Sequence, residues 1–336
     1  RWSPAKGGHR RLLLIGWAWG LRLVMAGGAC HRRQPCLGRG PFRLKIRTRN
    51  RLVAYTFLLP NLLGFLVFTL LPVGAALGLS FMRWDSYNPV EFIGLRNFQT
   101  LLRDSSFRIA FWNTIYFTGV AVPLTVVFSL ALALALNRGL RALPAFRAVH
   151  FFPHIASTVA VAVVWQFLYH PDMGPINQFL SALGVESPPR WTASVTWAMP
   201  AVIIMSVWKS VGYYMVMFLA GLQAIPGYLY EAALIDGAGA WQRFRYVTLP
   251  LLSPTMFFVI IINLINSFKV FDQIYIMTQG GPGRATSVLV YYIYIQAFIN
   301  QNFGYASAMA FVLFILVLVV TVFQFRLQER WVHSID

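Results

Sequence analysis

Six stretches of this chain are apolar for about the length of a bilayer crossing, and no other feature limits its possible folds as much. They cover approximately residues 54–80, 112–136, 151–168, 198–222, 254–277 and 306–327. A hydrocarbon core about 30 Å thick requires about 20 apolar residues of helix. Backbone polar groups inside it must be satisfied within the protein, which leaves helices or closed barrels. The runs are continuous and do not alternate with period two, which selects helices. The expected fold class is an all-α polytopic membrane protein with six transmembrane helices. Composition agrees, since 11% of the 336 residues are charged and 58% are apolar. Soluble domains average about 25% charged.

Loop arginines and lysines set the expected orientation, because cytoplasmic loops carry the excess. With the N-terminus inside, the inner segments hold 20 basic residues and the outer loops 6. Setting aside the 13 in residues 1–51, the inner segments still lead by 7 to 6. Both termini are therefore expected on the cytoplasmic side of the membrane. The net charge of +18 does not indicate nucleic-acid binding. The N-terminal tail, which has no acidic residue, carries 13 of these charges, and basic flanks of membrane helices beside anionic lipid account for it.

In the basic tail, residues 1–51, the first 42 residues fit no helical period, and the tail is expected to be disordered or to reflect a start site assigned too far upstream. An amphipathic or spanning segment is the alternative. Arg22 sits near the middle of its apolar run 12–29, and a central arginine costs about 2.5–3.5 kcal/mol on the insertion scale. Cys30 and Cys36 lack metal-site spacing and read as reduced thiols; no metal site is expected. The remaining divisions are a transmembrane domain over 52–330 and a short tail over 331–336.

Between the fourth and fifth runs lies the segment EAALIDGAGAWQRFRYVTLP, residues 231–250. Pro226 suits a first helical position, so PGYLYEAALID reads as a short helix. Leu229, Ala232, Ala233 and Asp236 fall on one side of it. Ala232 and Ala233 are small enough for another backbone to approach. Gly237 and Gly239 are expected to stop the helix, and a second short helix then leads to Leu249 and Pro250. The whole loop, residues 226–250, reads as a kinked cytoplasmic knob.

Its spacing, E-A-A-x3-G-x9-V-x-L-P, resembles the signature of the membrane subunits of binding-protein-dependent ABC importers, E-A-A-x3-G-x9-I-x-L-P. Val247 for isoleucine is the one departure. The resemblance extends over about residues 50–330. AYTFLLPNLLGFLVFTLLP, FIGLRNF, FDQIYIMTQGGPGRAT and YIYIQAF are similar to the carbohydrate-uptake branch. The TQGGP form is similar to the first permease of maltose or glycerol-3-phosphate systems.

The resemblance implies a coupling helix that docks on a dimer of ATPase subunits, a second and distinct permease, and an extracytoplasmic solute-binding protein. The residues carried over to coupling are Glu231, Ala232, Ala233, Asp236, Gly237 and Gly239. ATP and Mg would be held by the partner ATPase and no cofactor by this chain. This sequence has no G-x-x-x-x-G-K-[ST] motif, and no catalytic residues are assigned. The expected substrate path uses Asn263, Asn266 and Ser267, which share one face of the fifth run, with Trp208, Tyr213 and Tyr214 of the fourth. Polar groups in a span should face the bundle interior, although hydrogen bonding between helices explains them as well. Lys269 and Asp272 could neutralise each other. His150, His154 and His170 read as interfacial caps. The alternatives are a self-contained secondary transporter or channel, which would need coupling charges in its spans, and an ABC permease for a non-sugar solute.

Overall fold

The computed structural model describes residues 42–86, 88–137 and 143–331. The expectations for the tail before Phe42, for Cys30 and Cys36, and for the last five residues lie outside the described residues. The chain divides into two compact units, Arg1–Asn61 and Leu62–Asp336. The described part of the first is helix, within α1 (Phe42–Phe65).

The second unit is almost entirely helical. A π turn, Leu66–Leu70, leads into α2 (Leu71–Leu79). A two-stranded antiparallel hairpin follows, β1 (Met82–Arg83) and β2 (Glu91–Phe92), with Arg83 and Glu91 ion-paired across it. Then come α3 (Arg96–Arg103), α4 (Ser105–Leu136), α5 (Leu143–Ile155), α6 (Thr158–Leu168) and α7 (Pro175–Ala182). α8 (Ala198–Ala224) precedes the loop helices α9 (Gly227–Ile235), α10 (Ala240–Arg243) and α11 (Leu249–Leu251). The chain ends with α12 (Ser253–Phe268), α13 (Asp272–Met277), α14 (Leu289–Tyr294) and α15 (Phe303–Trp331).

Four helical stretches are long and apolar enough to cross a membrane: Val53–Leu79, Ser105–Leu136, Ala198–Ala224 and Phe303–Gln328. Two bent pairs bring the number to six when each pair counts as one span. The third and fifth runs depart from single straight helices. The third run bends by 96° between α5 and α6, and the fifth is preceded by a 66° bend between α11 and α12. The apolar stretch 254–277 is also interrupted: α12 ends at Phe268 and α13 begins at Asp272.

α8 is the central helix, packed most extensively on α4 and α5. Its buried half toward Ala198 joins Phe117, Val161 and Ile274 in one core cluster, and its other half joins Ala133, Leu136 and Val259 in a second. Gly212 is required here, because a β-carbon would run into the His150 carbonyl of α5. A third cluster, with Leu101, Phe107, Leu289 and Met309, ties α3 and α4 to α14 and α15. Asp104 caps α4 by accepting the Ser106 N–H at 2.8 Å, and it also takes the hydroxyls of Tyr292 and Tyr305 at 2.6 and 2.8 Å.

Candidate functional site

The loop after α8 is built by local bonding. Pro226 stands just before the first helical residue, with ψ at 132°, so the helix begins at Gly227 and not at the proline. At the other end Gly237 turns at φ +79°. Its N–H bonds the Leu234 carbonyl at 3.0 Å, and the Ala238 N–H bonds the Ala233 carbonyl at 2.9 Å. These two bonds close a helix around a left-handed glycine. Gly239 has a different task from the one expected. Its φ is −68°, it starts α10, and its N–H bonds Gln242 Oε1 at 2.7 Å.

The expected one-sided face is also divided. Leu229 and Tyr230 pack on the second core cluster, and Ala233 is half-buried. Glu231, Ala232 and Asp236 are exposed, as is Ile235 at 87%. The loop thus presents two carboxylates, a small residue and a large apolar side chain to the outside. Tyr230 anchors α9 from behind, its hydroxyl 3.0 Å from Thr248 Oγ1 in the π turn Phe244–Thr248.

A separate polar cavity of about 190 Å³ lies in the bundle among α4, α5, α6, α8 and α12. Asn263, Asn266, Ser267 and Tyr214 line it, so four of the six expected path residues meet there. Asn263 also reaches the Val122 carbonyl on α4 at 3.4 Å, and Asn266 the Tyr214 hydroxyl at 3.5 Å. The other two do not line it. Trp208 is 46% exposed and rests on Trp165, with ring centres 5.4 Å apart. Tyr213 stands behind His154, stacked on its ring at 4.3 Å.

His154, expected as an interfacial cap, lines the cavity. Lys209 also lines it and donates to the His154 carbonyl at 3.2 Å, at the point where α5 ends and the third span bends. Lys269 and Asp272 form no ion pair among the described residues. Ser206, Ser210 and Tyr214 are spaced by four on α8 and all line the cavity. That polar stripe was the available signal for the cavity wall on α8. The cavity is smaller than the about 300–1,000 Å³ of ordinary ligand pockets, so a saccharide larger than the cavity can pass only if the helices around it move.

Comparison with known proteins bears on the chain as a whole. The profile of the family described as "Binding-protein-dependent transport system inner membrane component" matches residues 52–333. The trehalose/maltose transport system permease protein MalF of Thermococcus litoralis is 38% identical, over 83% of this chain and 94% of its own. The sn-glycerol-3-phosphate transport system permease protein UgpA of Brucella abortus is 34% identical, over 86% and 99%. A chain in the crystal structure of a bacterial ABC transporter that imports the acidic polysaccharide alginate superposes with a TM-score of 0.76 at 27% identity, over 86% of this chain and 99% of that one. The helical bundle, the exposed signature loop and a match across residues 52–333 lead to one conclusion: the chain belongs to the family of binding-protein-dependent transport system inner membrane components, and is a multi-pass permease subunit of the ABC importer type.

Proposed function

We propose that this chain forms half of the translocation path of an ATP-driven sugar importer and couples ATPase closure to alternating access. The observation that carries the reading is the exposed α9–Gly237 knob, in which Glu231, Ala232, Ile235 and Asp236 face outward. Glu231 meets a basic group of a cytoplasmic ATPase subunit, Ala232 and Ala233 lie in its cleft, and Asp236 adds a second contact. ATP and Mg belong to that partner. Both termini lie in the cytoplasm. A second, distinct permease completes the path, and an extracytoplasmic solute-binding protein delivers the cargo. Support for the sugar comes from the named trehalose/maltose relative and the alginate importer. A solved complex of that importer holds an alginate pentasaccharide-bound periplasmic protein, which supports a delivery partner. The polar cavity with its amides, hydroxyls and Lys209 is the place where cargo meets this chain. A partner that binds two states of the bundle unequally shifts it between them.

The test is a tagged pull-down from solubilised membranes, wild type beside Glu231→Lys, with bound proteins identified by mass spectrometry. An ATPase and a second permease should accompany the wild type, with the ATPase lost or weakened in the variant. Recovery of the chain alone would defeat the proposal.

A further inference from the structure

The stretches FDQIYIM, residues 271–277, and YIYIQAF, residues 292–298, play no part in the loop and, apart from Gln273, none in the cavity wall. They lie on α13 and on α14, which continues into a π turn, Ile295–Ile299. Phe271 and Tyr275 are four residues apart, and Tyr291, Tyr294 and Phe298 follow at three and four. Each set therefore shares one helix face. The structure brings the two faces together. Phe271 and Tyr275 stack with ring centres 5.4 Å apart, and Tyr294 lies 5.3 Å from the first and 5.4 Å from the second. Phe298 extends the row 5.6 Å beyond Tyr294. Tyr291 backs Phe271, stacked at 6.5 Å. Gly280 lets that ring in, since a β-carbon there would come within 2.6 Å of it, and the Tyr291 hydroxyl donates to the Gln279 carbonyl at 2.8 Å. The TQGGP turn thus seats the row from behind.

The row has two different ends. At one, Phe271 stands between Val270 and Gln273, both of which line the polar cavity. At the other, Phe298 lies between Gln296 and Asn302 in the chain. Gln296 donates to the Tyr292 hydroxyl, which is itself bonded to Asp104 at the start of α4, and Asn302 bridges to Asp85 beyond the hairpin strand β1. The start of α4 is the end of the bundle away from the signature loop, because its other end, at Leu134 and Asn137, meets Tyr230 and Trp241. The rings are open to the outside: Phe298 is 67% exposed and Tyr275 40%. The aliphatic Ile274, Met277 and Leu289 of the same helices are buried instead. Contact with hydrocarbon favours the opposite choice, because leucine and isoleucine bring no hydroxyl that needs a partner there.

We propose that Phe298, Tyr294, Tyr275 and Phe271 form a stacking lane for the sugar rings of the cargo, leading from the extracytoplasmic end of the bundle to the polar cavity. The C–H face of a pyranose is apolar and carries slight positive charge, and it suits the negative face of an aromatic ring. Stacking is indifferent to which hydroxyls a sugar carries, so a ring can pass from one residue to the next without a fixed set of hydrogen bonds being broken. The amides and hydroxyls of the cavity then supply the directional contacts that the lane lacks. The lane rests on the sugar reading and the orientation proposed above, and adds to them a second contact surface with its own residues.

The experiment uses the full chain with its co-purifying subunits in proteoliposomes, supplied with the solute-binding protein outside and ATP inside. Uptake of labelled maltose, trehalose and an alginate trisaccharide is followed for the wild type, Phe298→Leu, Phe298→Tyr, Tyr294→Leu and Tyr294→Phe. Each leucine variant should lower the maximal rate of uptake about two- to tenfold, the worth of one stacked ring. Each aromatic replacement should stay within about twofold of the wild type, because the ring face is kept. Equal rates in all five proteins overturn the lane and leave the sugar reading standing. Equal losses in the leucine and the aromatic variants also overturn it, since packing and not ring stacking is then what the positions supply. Loss of the second permease from Phe298→Leu would make the face a subunit contact and overturn it too. Failure of the wild type to take up any of the three saccharides removes the sugar reading, and the lane with it.

Discussion

At Gly237 one backbone angle separates a working loop from a strained one. With φ at +79°, a residue with a β-carbon costs about 1–2 kcal/mol, and a branched one is the least tolerated. Gly237→Val should lower uptake about tenfold or more, the equivalent of roughly 1.4 kcal/mol, while the assembly still hydrolyses ATP. Gly239→Ala should be close to neutral. Gly239 has φ −68°, and a β-carbon there would lie 3.6 Å from Gln242 Oε1, an ordinary contact. Uptake and ATPase assays on both variants check this; equal losses at the two glycines would refute it. At the opposite end of α4, burial raises the pKa of Asp104. The hydroxyls of Tyr292 and Tyr305 and the N–H groups of Ser106 and Phe107 outweigh that effect, so it lies below 3.8. A carboxyl whose folded pKa is depressed stabilises fully above its unfolded value, and that stabilisation fades as pH falls through the folded one. Asp104→Asn should therefore melt below the wild type at neutral pH, with the gap closing below about pH 4. Melting curves of the solubilised protein across pH would show a constant gap if the cap is irrelevant.

Among the elements, the broken third span matters most. α5 and α6 meet at 96°, and α8 holds the joint in three ways. Lys209 bonds the His154 carbonyl, Tyr213 stacks on the His154 ring, and Gly212 lets α5 approach. A cation at a helix C-terminus suits the negative end of its dipole. Lys209→Met keeps the length and removes the donor. It should cost about 1.5–3 kcal/mol, the usual range for a hydrogen bond to a charged group, seen as a lowered melting point of the solubilised protein with helix content retained. An unchanged melting point would mean that stacking and close packing alone hold the joint. The bend also carries Thr158, at the start of α6, into the polar cavity, so the joint and the cavity wall are one structure.

For the whole molecule, large apolar side chains remain exposed on several helices, among them Trp112, Val127, Phe152, Phe167 and Phe323. In a membrane protein these are the surfaces for lipid and for neighbouring subunits. The proposed orientation is testable with single cysteines in a chain whose Cys30 and Cys36 are replaced by serine. Glu186→Cys and Asp236→Cys both stand at exposed positions. In whole spheroplasts an impermeant maleimide should label the first, and the second only after permeabilisation. The reverse pattern would invert the topology and remove the loop from the cytoplasm.

Some features of this protein depend on its neighbours along the chain and others on its neighbours in space. That the chain crosses a membrane follows from hydropathy summed over about 20 residues, a property of sequence alone. The loop was readable for a similar reason. Helix start, glycine stop and motif spacing all lie within residues 226–250, and the closing bonds at Gly237 span only a few positions. Helical spacing on α12 placed Asn263, Asn266 and Ser267 on one face, and all three reach the cavity. Composition could not show which way α8 is turned about its axis. Trp208 and Tyr214 are both aromatic and polar-tipped, yet one lies outward on Trp165 and the other lines the cavity. Nor could it show that the third apolar run bends and the fifth is interrupted, or that a helix-end histidine and an intramembrane lysine meet at the bend. Those outcomes depend on how all the helices pack against α8, and packing is settled only when every neighbour is in place.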